Sequence, residues 1–143
     1  MRRSPASLIA PFALIAAGAL AAPLQAADLT VSLHDARTQD GRFQVALVDA
    51  GGYAGSAAPV AARELAPAGA VTRVTFDGVP AGRYALMVIH DENGNGTLDT
   101  NLVGMPVEGY GFSNNPRVMR KPTFEEAAFD VGADALALDV SIR

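Results

Sequence analysis

Leu29, Val31 and Leu33 alternate with polar neighbours in DLTVSL (28–33), and the period returns in RFQVALVD, where Phe43, Val45 and Leu47 share one side. An extended chain turns successive side chains to opposite faces, so each stretch predicts a half-buried strand. Asp40-Gly41 between them is a turn dipeptide, and the two strands are expected to form an antiparallel hairpin. Residues 50–60, AGGYAGSAAPV, keep no period and read as a loop. Ala61–Leu65 fits either a short edge strand or a helical turn, ended by Pro67 and Gly69. AVTRVTF (70–76) sets Ala70, Thr72, Val74 and Phe76 on one face, with turns expected at Asp77-Gly78 and Pro80-Ala81-Gly82. In the next strand, Arg83 to His90, Tyr84, Leu86, Val88 and His90 share one face and Ala85, Met87 and Ile89 the other. Apolar character on both faces predicts a central strand.

The stretch VGMPVEGYGFSNNPR (103–117) is dense in glycine and proline, and is expected to be ordered by contacts rather than by a repeat. The chain closes on ALALDVSI, where Leu136, Leu138, Val140 and Ile142 alternate. There is no internal repeat and no sustained helical period. Short strands with turn signals every eight to twelve residues or so predict an all-β fold. The form expected is an antiparallel β-sandwich of immunoglobulin-like or transthyretin-like type with about seven strands.

The 143 residues suit one domain behind a leader. Met1-Arg2-Arg3, an apolar run from Leu8 to Ala22 and Pro23-Leu24-Gln25-Ala26 read as a signal peptide cut after Ala26, leaving 27–143 as the folded domain. The run is too short for a membrane anchor and is interrupted by Pro11. Arg2-Arg3 does not complete a twin-arginine motif. The expected address is periplasmic or secreted. Without cysteine there is no lipoprotein anchor, disulfide, thiol catalysis or thiolate zinc site. The leader takes two arginines, so the remaining charge is 9 basic minus 15 acidic residues, or −6. That disfavours nucleic acid as a partner, and leaves an envelope protein or a glycan as the class of partner to expect.

One stretch carries a chemical pattern. Asp91, Asn93 and Asn95 offer oxygen at alternate positions, followed by Gly96, Thr97, Leu98 and Asp99. Calcium takes six to eight or so oxygens, from carboxylates, amides, carbonyls and water, in a loop that must curl around it. The side chains of Asp91, Asn93, Asn95 and Asp99 and the carbonyl of Thr97 are therefore candidate ligands for Ca2+, with Gly96 making the sharp turn. The position where a bidentate glutamate belongs is Leu102, so the helix–loop–helix motif is incomplete, and Glu108 or Asn101 is the nearest source of the missing oxygens. No lysine or arginine lies between Arg83 and Arg117, yet Asp91, Glu92, Asp99 and Glu108 do. Such carboxylates repel one another unless neutralised. With two asparagines in the set, affinity is expected on the order of 10⁻⁴–10⁻³ M, as in extracellular modules. The competing reading is a plain Asn-Gly hairpin turn with solvated acidic flanks.

Other constellations are weaker. His34-Asp35 and His90-Asp91 suggest a metal-assisted hydrolase, but adjacent residues on a strand point apart and neither pair makes a dyad. His90 reads instead as a strand-end histidine bonded to loop backbone. Gly111-Phe112-Ser113-Asn114-Asn115 lacks the second glycine of a nucleophile elbow; it reads as a capped turn, with carbohydrate or peptide contact as the alternative. Arg117, Arg120 and Lys121 beside Glu125 and Glu126 point to local ion pairing rather than an anion site. The expectation is a non-catalytic binding or envelope-associated module.

HDENGNGTLDTNLVGMPVEGYGFSNN, with VTFDGVPAGRYALMVIHD before it and PTFEEAAFDV after it, resembles the secreted bacterial family known as domain of unknown function 2141. The resemblance spans essentially residues 28–143. Its signature falls on His90, Asp91, Asn93, Asn95, Gly96, Asp99, Asn101, Gly109, Gly111, Ser113, Asn114 and Asn115. Arg120-Lys121-Pro122 departs from the glycine–proline pair typical before Phe124. The resemblance implies an exported β-sandwich and brings no catalytic residue with it.

Overall fold

Each alternating stretch becomes a strand that buries one face. In the computed structural model, which describes residues 25–143, the order is β1 (Ala26–His34), β2 (Arg42–Val48), α1 (Ala50–Tyr53), β3 (Ala61–Leu65) and β4 (Val71–Pro80). Then come β5 (Gly82–Asp91), β6 (Gly109–Phe112), α2 (Phe124–Ala127), β7 (Phe129–Val131) and β8 (Leu136–Ser141). The expected leader lies outside the described residues except for Gln25 and Ala26; Ala26 opens β1, opposite Pro80. No helix among the described residues is long and apolar enough to cross a membrane.

The strands make two sheets, ordered β4-β1-β8 and β3-β2-β5-β6, with β7 also pairing with β5. Leu29, Val31 and Leu33 of β1, Phe43, Val45 and Leu47 of β2, and Leu86 and Val88 of β5 meet in one core with Phe76, Val140 and Ile142. At about 25 cal/mol per Å² of apolar surface removed from water, this shared core supplies the main drive to fold.

The expected β1–β2 hairpin does not form. β1 pairs with β4 and β8, while β2 pairs with β3 and β5. Two strands with one apolar face each can bury those faces side by side or across a core, and alternation does not distinguish the two. Here residues 35–41 arch from one sheet to the other, with positive φ at Asp35 and Gly41. Nor is the pairing wholly antiparallel, because β8 runs parallel to β1 from Leu29–Leu136 to His34–Ser141. Asp77-Gly78 does not end β4. The strand continues to Pro80 through a register shift opposite Ala27–Leu29, and the Gly78 N–H bonds Asp28 Oδ1 at 2.9 Å. This is a bulge, not a turn.

β5 is central as expected. Its second apolar face is covered at one end by the helical turns, with Ala85 packed among Val48, Tyr53 and Ala127 and Met87 partly buried against them, while Ile89 is only half-buried. β3 is the edge strand allowed for at Ala61–Leu65. The apolar pattern does not announce β6, because its inward positions are Gly109 and Gly111. A Cβ there would stand 2.7 Å from Ile142 and from Val140, respectively. The glycines let β6 close against the end of β8, where Tyr110 and Arg143 exchange backbone hydrogen bonds of 3.2 and 2.9 Å.

Candidate metal centre

The acidic stretch leaves the end of β5 at Asp91 and returns to β6 at Gly109. Asp91 is buried, and a buried carboxylate needs partners. It finds them in backbone: Oδ1 accepts from Gly94 N (2.8 Å) and Asn95 N (3.1 Å), and Oδ2 from Gly96 N (2.8 Å). Gly94 and Gly96 both have positive φ, which lets the chain wrap this carboxylate without a Cβ penalty. Glu108, also buried, does the same from the returning limb. It accepts from Glu92 N (3.0 Å), Asn93 N (3.3 Å) and Asp99 N (3.0 Å). Two buried side chains thus hold six backbone N–H groups.

The exposed half contains the remaining candidates. Asn93 Nδ2 donates to Asp99 Oδ2 at 2.5 Å and Asn95 Nδ2 to Asp99 Oδ1 at 2.8 Å. The Oδ1 of each asparagine closes a local turn, accepting from Asn95 N at 3.0 Å and Thr97 N at 2.9 Å. Asp91, Asn93, Asn95, Thr97 and Asp99 therefore form one connected hydrogen-bond network, which Thr97 enters through its N–H and hydroxyl. Of the two sources suggested for further oxygens, Glu108 enters the network. Asn101 caps its own turn instead, accepting from Val103 N and Met105 N at 3.0 Å each. Leu102 points into solvent.

The charge argument changes with the fold. Arg37, from the β1–β2 arch, donates to Glu92 Oε1 at 2.6 Å and to Val107 O at 2.7 Å. The chain supplies its own cation to one carboxylate and backbone N–H groups to two others. Asp99 alone of the four has a carboxylate whose only partners among the described residues are side-chain amides. Arg37 could not be found by reading the loop, since it lies 55 positions upstream of Glu92. Among the described residues no three His, Cys, Asp or Glu side chains converge on one point, so a cation here would depend on amide and backbone oxygens.

His90 faces the core. It is fully buried with its ring 4.5 Å from that of Phe43, and Nε2 is 2.8 Å from Asp40 O. A carbonyl only accepts, so Nε2 carries the hydrogen; Nδ1 has no partner among the described residues. The histidine bonds loop backbone, as its place at a strand end suggests. His34 lies 2.8 Å from Asp139 on neighbouring β8, not from Asp35.

The polar side chains of FSNN bond other segments rather than capping their own turn. Ser113, fully buried, lies between the end of β6 and the start of β7 along the same side of β5. Its Oγ accepts from Leu86 N at 2.8 Å and donates to Ala127 O at 2.5 Å. Asn114 Nδ2 donates to Ala128 O (2.8 Å), and Asn115 takes Ser141 N (2.8 Å) and reaches Asp139 O (3.0 Å). Both asparagines have positive φ, a conformation they tolerate better than most residues. Beyond them the expected local ion pairing forms only in part among the described residues: Arg120 pairs with Glu126 at 2.7 Å, while Glu125 pairs with Arg83 of β5 and Lys121 donates to Tyr53 O.

No curated protein and no solved structure matches the chain. A family model does. It is described as an uncharacterized protein conserved in bacteria (DUF2141), and it matches residues 31–138, from within β1 to within β8. The match takes in both sheets and the whole 91–115 stretch, and the chain belongs to this bacterial family.

Proposed function

We propose that the protein is an exported, non-catalytic β-sandwich module of immunoglobulin-like or transthyretin-like type, whose 91–99 loop takes up calcium to fix its shape. The observation that carries the reading is the cluster at Asp99. Its carboxylate is clasped by the amides of Asn93 and Asn95 within a loop already curled on Asp91, and no cationic side chain among the described residues pairs with it. A calcium ion would take the place of those two amide donors. The amides would then turn their oxygens inward, joined by Asp91 and the Thr97 carbonyl.

The tip beyond the loop supports a binding role. Leu102 and Val103 are 107% and 81% exposed, with Met105 and Val107 about half exposed. Four exposed apolar side chains within six residues of one loop favour a contact site there, and an envelope protein or glycan is the partner class we assign to it. The alternative, a hydrolase centred on His90, is disfavoured because the ring lies wholly within the core.

Calorimetric titration with calcium tests the metal reading. The expected result is one site with a Kd on the order of 10⁻⁴–10⁻³ M that is lost in Asp99→Asn. Heat no greater than that from magnesium would contradict it. Asp99→Asn keeps the shape of the side chain and an oxygen for the amides. Asp91→Ala would instead release three backbone N–H groups and disturb the loop with or without an ion.

A further inference from the structure

Asn93-Gly94 and Asn95-Gly96 follow one another on the exposed half of the loop. A glycine after asparagine leaves the side-chain amide open to attack by the next backbone nitrogen, because no Cβ shields it. Space is open here as well, since nothing lies within 4 Å of where a Cβ would stand at Gly94 or Gly96. The reaction this setting invites is deamidation. Gly94 N attacks Asn93 Cγ, the glycine proton passes to the departing amide nitrogen, and Nδ2 leaves as ammonia. Water then opens the cyclic imide at either carbonyl, giving aspartate or isoaspartate. Asn95 and Gly96 N stand in the same relation.

The loop holds both nitrogens that the reaction uses. The attacking groups donate to buried Asp91, Gly94 N–H to Oδ1 and Gly96 N–H to Oδ2, each at 2.8 Å. The leaving groups donate to Asp99, Asn93 Nδ2 at 2.5 Å and Asn95 Nδ2 at 2.8 Å. Ring closure consumes the glycine N–H and expels the amide nitrogen. Each conversion must therefore break one hydrogen bond to Asp91 and one to Asp99. Losing a bond to a charged group on the way to the transition state slows a reaction by about tenfold or more.

We infer that Asn93 and Asn95 are deamidation sites that Asp91 and Asp99 preserve as amides, and that conversion opens the clasp on Asp99. Either product sets a carboxylate where an amide had donated to Asp99. Like charges at that distance repel, so the loop loses a bond and gains a repulsion together. Nothing in this step requires a cation, and it stands apart from the calcium reading.

The test is incubation of the protein in excess chelator at neutral pH, with conversion followed by peptide mass. Trypsin releases residues 84–117 as one fragment, and Asn101, Asn114 and Asn115 within it, none followed by glycine, serve as references. Asn93 and Asn95 are expected to convert about tenfold or more faster in the urea-unfolded chain than in the folded protein. Asp91→Asn and Asp99→Ala should each speed conversion in the folded protein by about tenfold or more. Asp99 lies outside the core, so Asp99→Ala tests the clasp without disturbing the sheets. The combined variant Asn93→Asp and Asn95→Asp, which represents the finished aspartate product, should melt below the parent in chelator. Equal folded and unfolded rates, unfolded conversion no faster than at Asn101, rates unchanged in both single variants, or an unchanged midpoint in the combined variant would each overturn the assignment.

Discussion

Ser113 is a single residue that completes a sheet. Where β6 stops and β7 has not begun, its hydroxyl accepts from Leu86 N–H and donates to the Ala127 carbonyl, two groups that would otherwise be buried and unpaired. Ser113→Ala is therefore expected to destabilise the protein by about 2–4 kcal/mol, measured as a lower urea midpoint at unchanged slope. A loss under about 0.5 kcal/mol, the level of a neutral surface change, would contradict this role. In the sequence Ser113 offers only a turn-like setting, because both of its partners come from other segments. Asp91, Asn93, Asn95 and Asp99 were legible, since their relation is one of spacing within a single loop. Glu108 was half legible, being near and acidic. Arg37 was not, because the arch that delivers it rests on a sheet assignment that alternation does not make.

At the level of elements, strands announced by alternation appear where the pattern places them: β1, β2, β4, β5 and β8. β6 escapes, since glycine at its inward positions erases the apolar half of the period. That absence is itself required by packing. Gly111→Ala would set a Cβ 2.7 Å from Val140 Cγ1 and 3.0 Å from Ser141 O. Overpacking of this kind is expected to cost about 1–3 kcal/mol, seen as a lower thermal midpoint.

The short helix α2 has a different support. Thr123 and Glu126 form a capping box, and Arg120 pairs with Glu126. Hydrogen bonds from Arg120, then from the Thr123 backbone, lower the Glu126 pKa from 4.5 to about 2. A lowered carboxylate pKa contributes stability above the unfolded value and loses it as pH falls through the folded one. The α2 contribution is thus present above about pH 4.5 and fades toward pH 2. Arg120→Gln should flatten that part of the pH–stability curve, and an unchanged curve would show that the pair contributes nothing.

For the molecule as a whole, two sheets share one core and hold a long loop at one end through side chains from three places: Asp91 at the end of β5, Glu108 before β6, and Arg37 on the arch. The sheets settle which way the loop leaves and returns. The loop's own oxygens decide what it can hold. The all-β character was legible from periodicity; the strand order was not, because pairing β8 parallel to β1 depends on packing across the core. Truncating the apolar tip with Leu102→Ser and Val103→Ser is expected to leave the thermal midpoint within about 2 °C, since both side chains are already in water. Loss of capture of an envelope partner by this variant would locate the contact at the tip.

The central claim, that calcium fixes the 91–99 loop, is tested most directly by thermal unfolding in excess chelator and in millimolar calcium, with magnesium as control. With Kd about 10⁻⁴ M and roughly millimolar calcium, binding adds about 1.4 kcal/mol, a rise of roughly 4–8 °C for a domain of this size. The account predicts that rise for the protein, little for magnesium, and none for Asp99→Asn. Equal midpoints in chelator and calcium, or an undiminished rise in Asp99→Asn, would contradict it and leave Asp91 and Glu108 holding the loop by backbone hydrogen bonds alone.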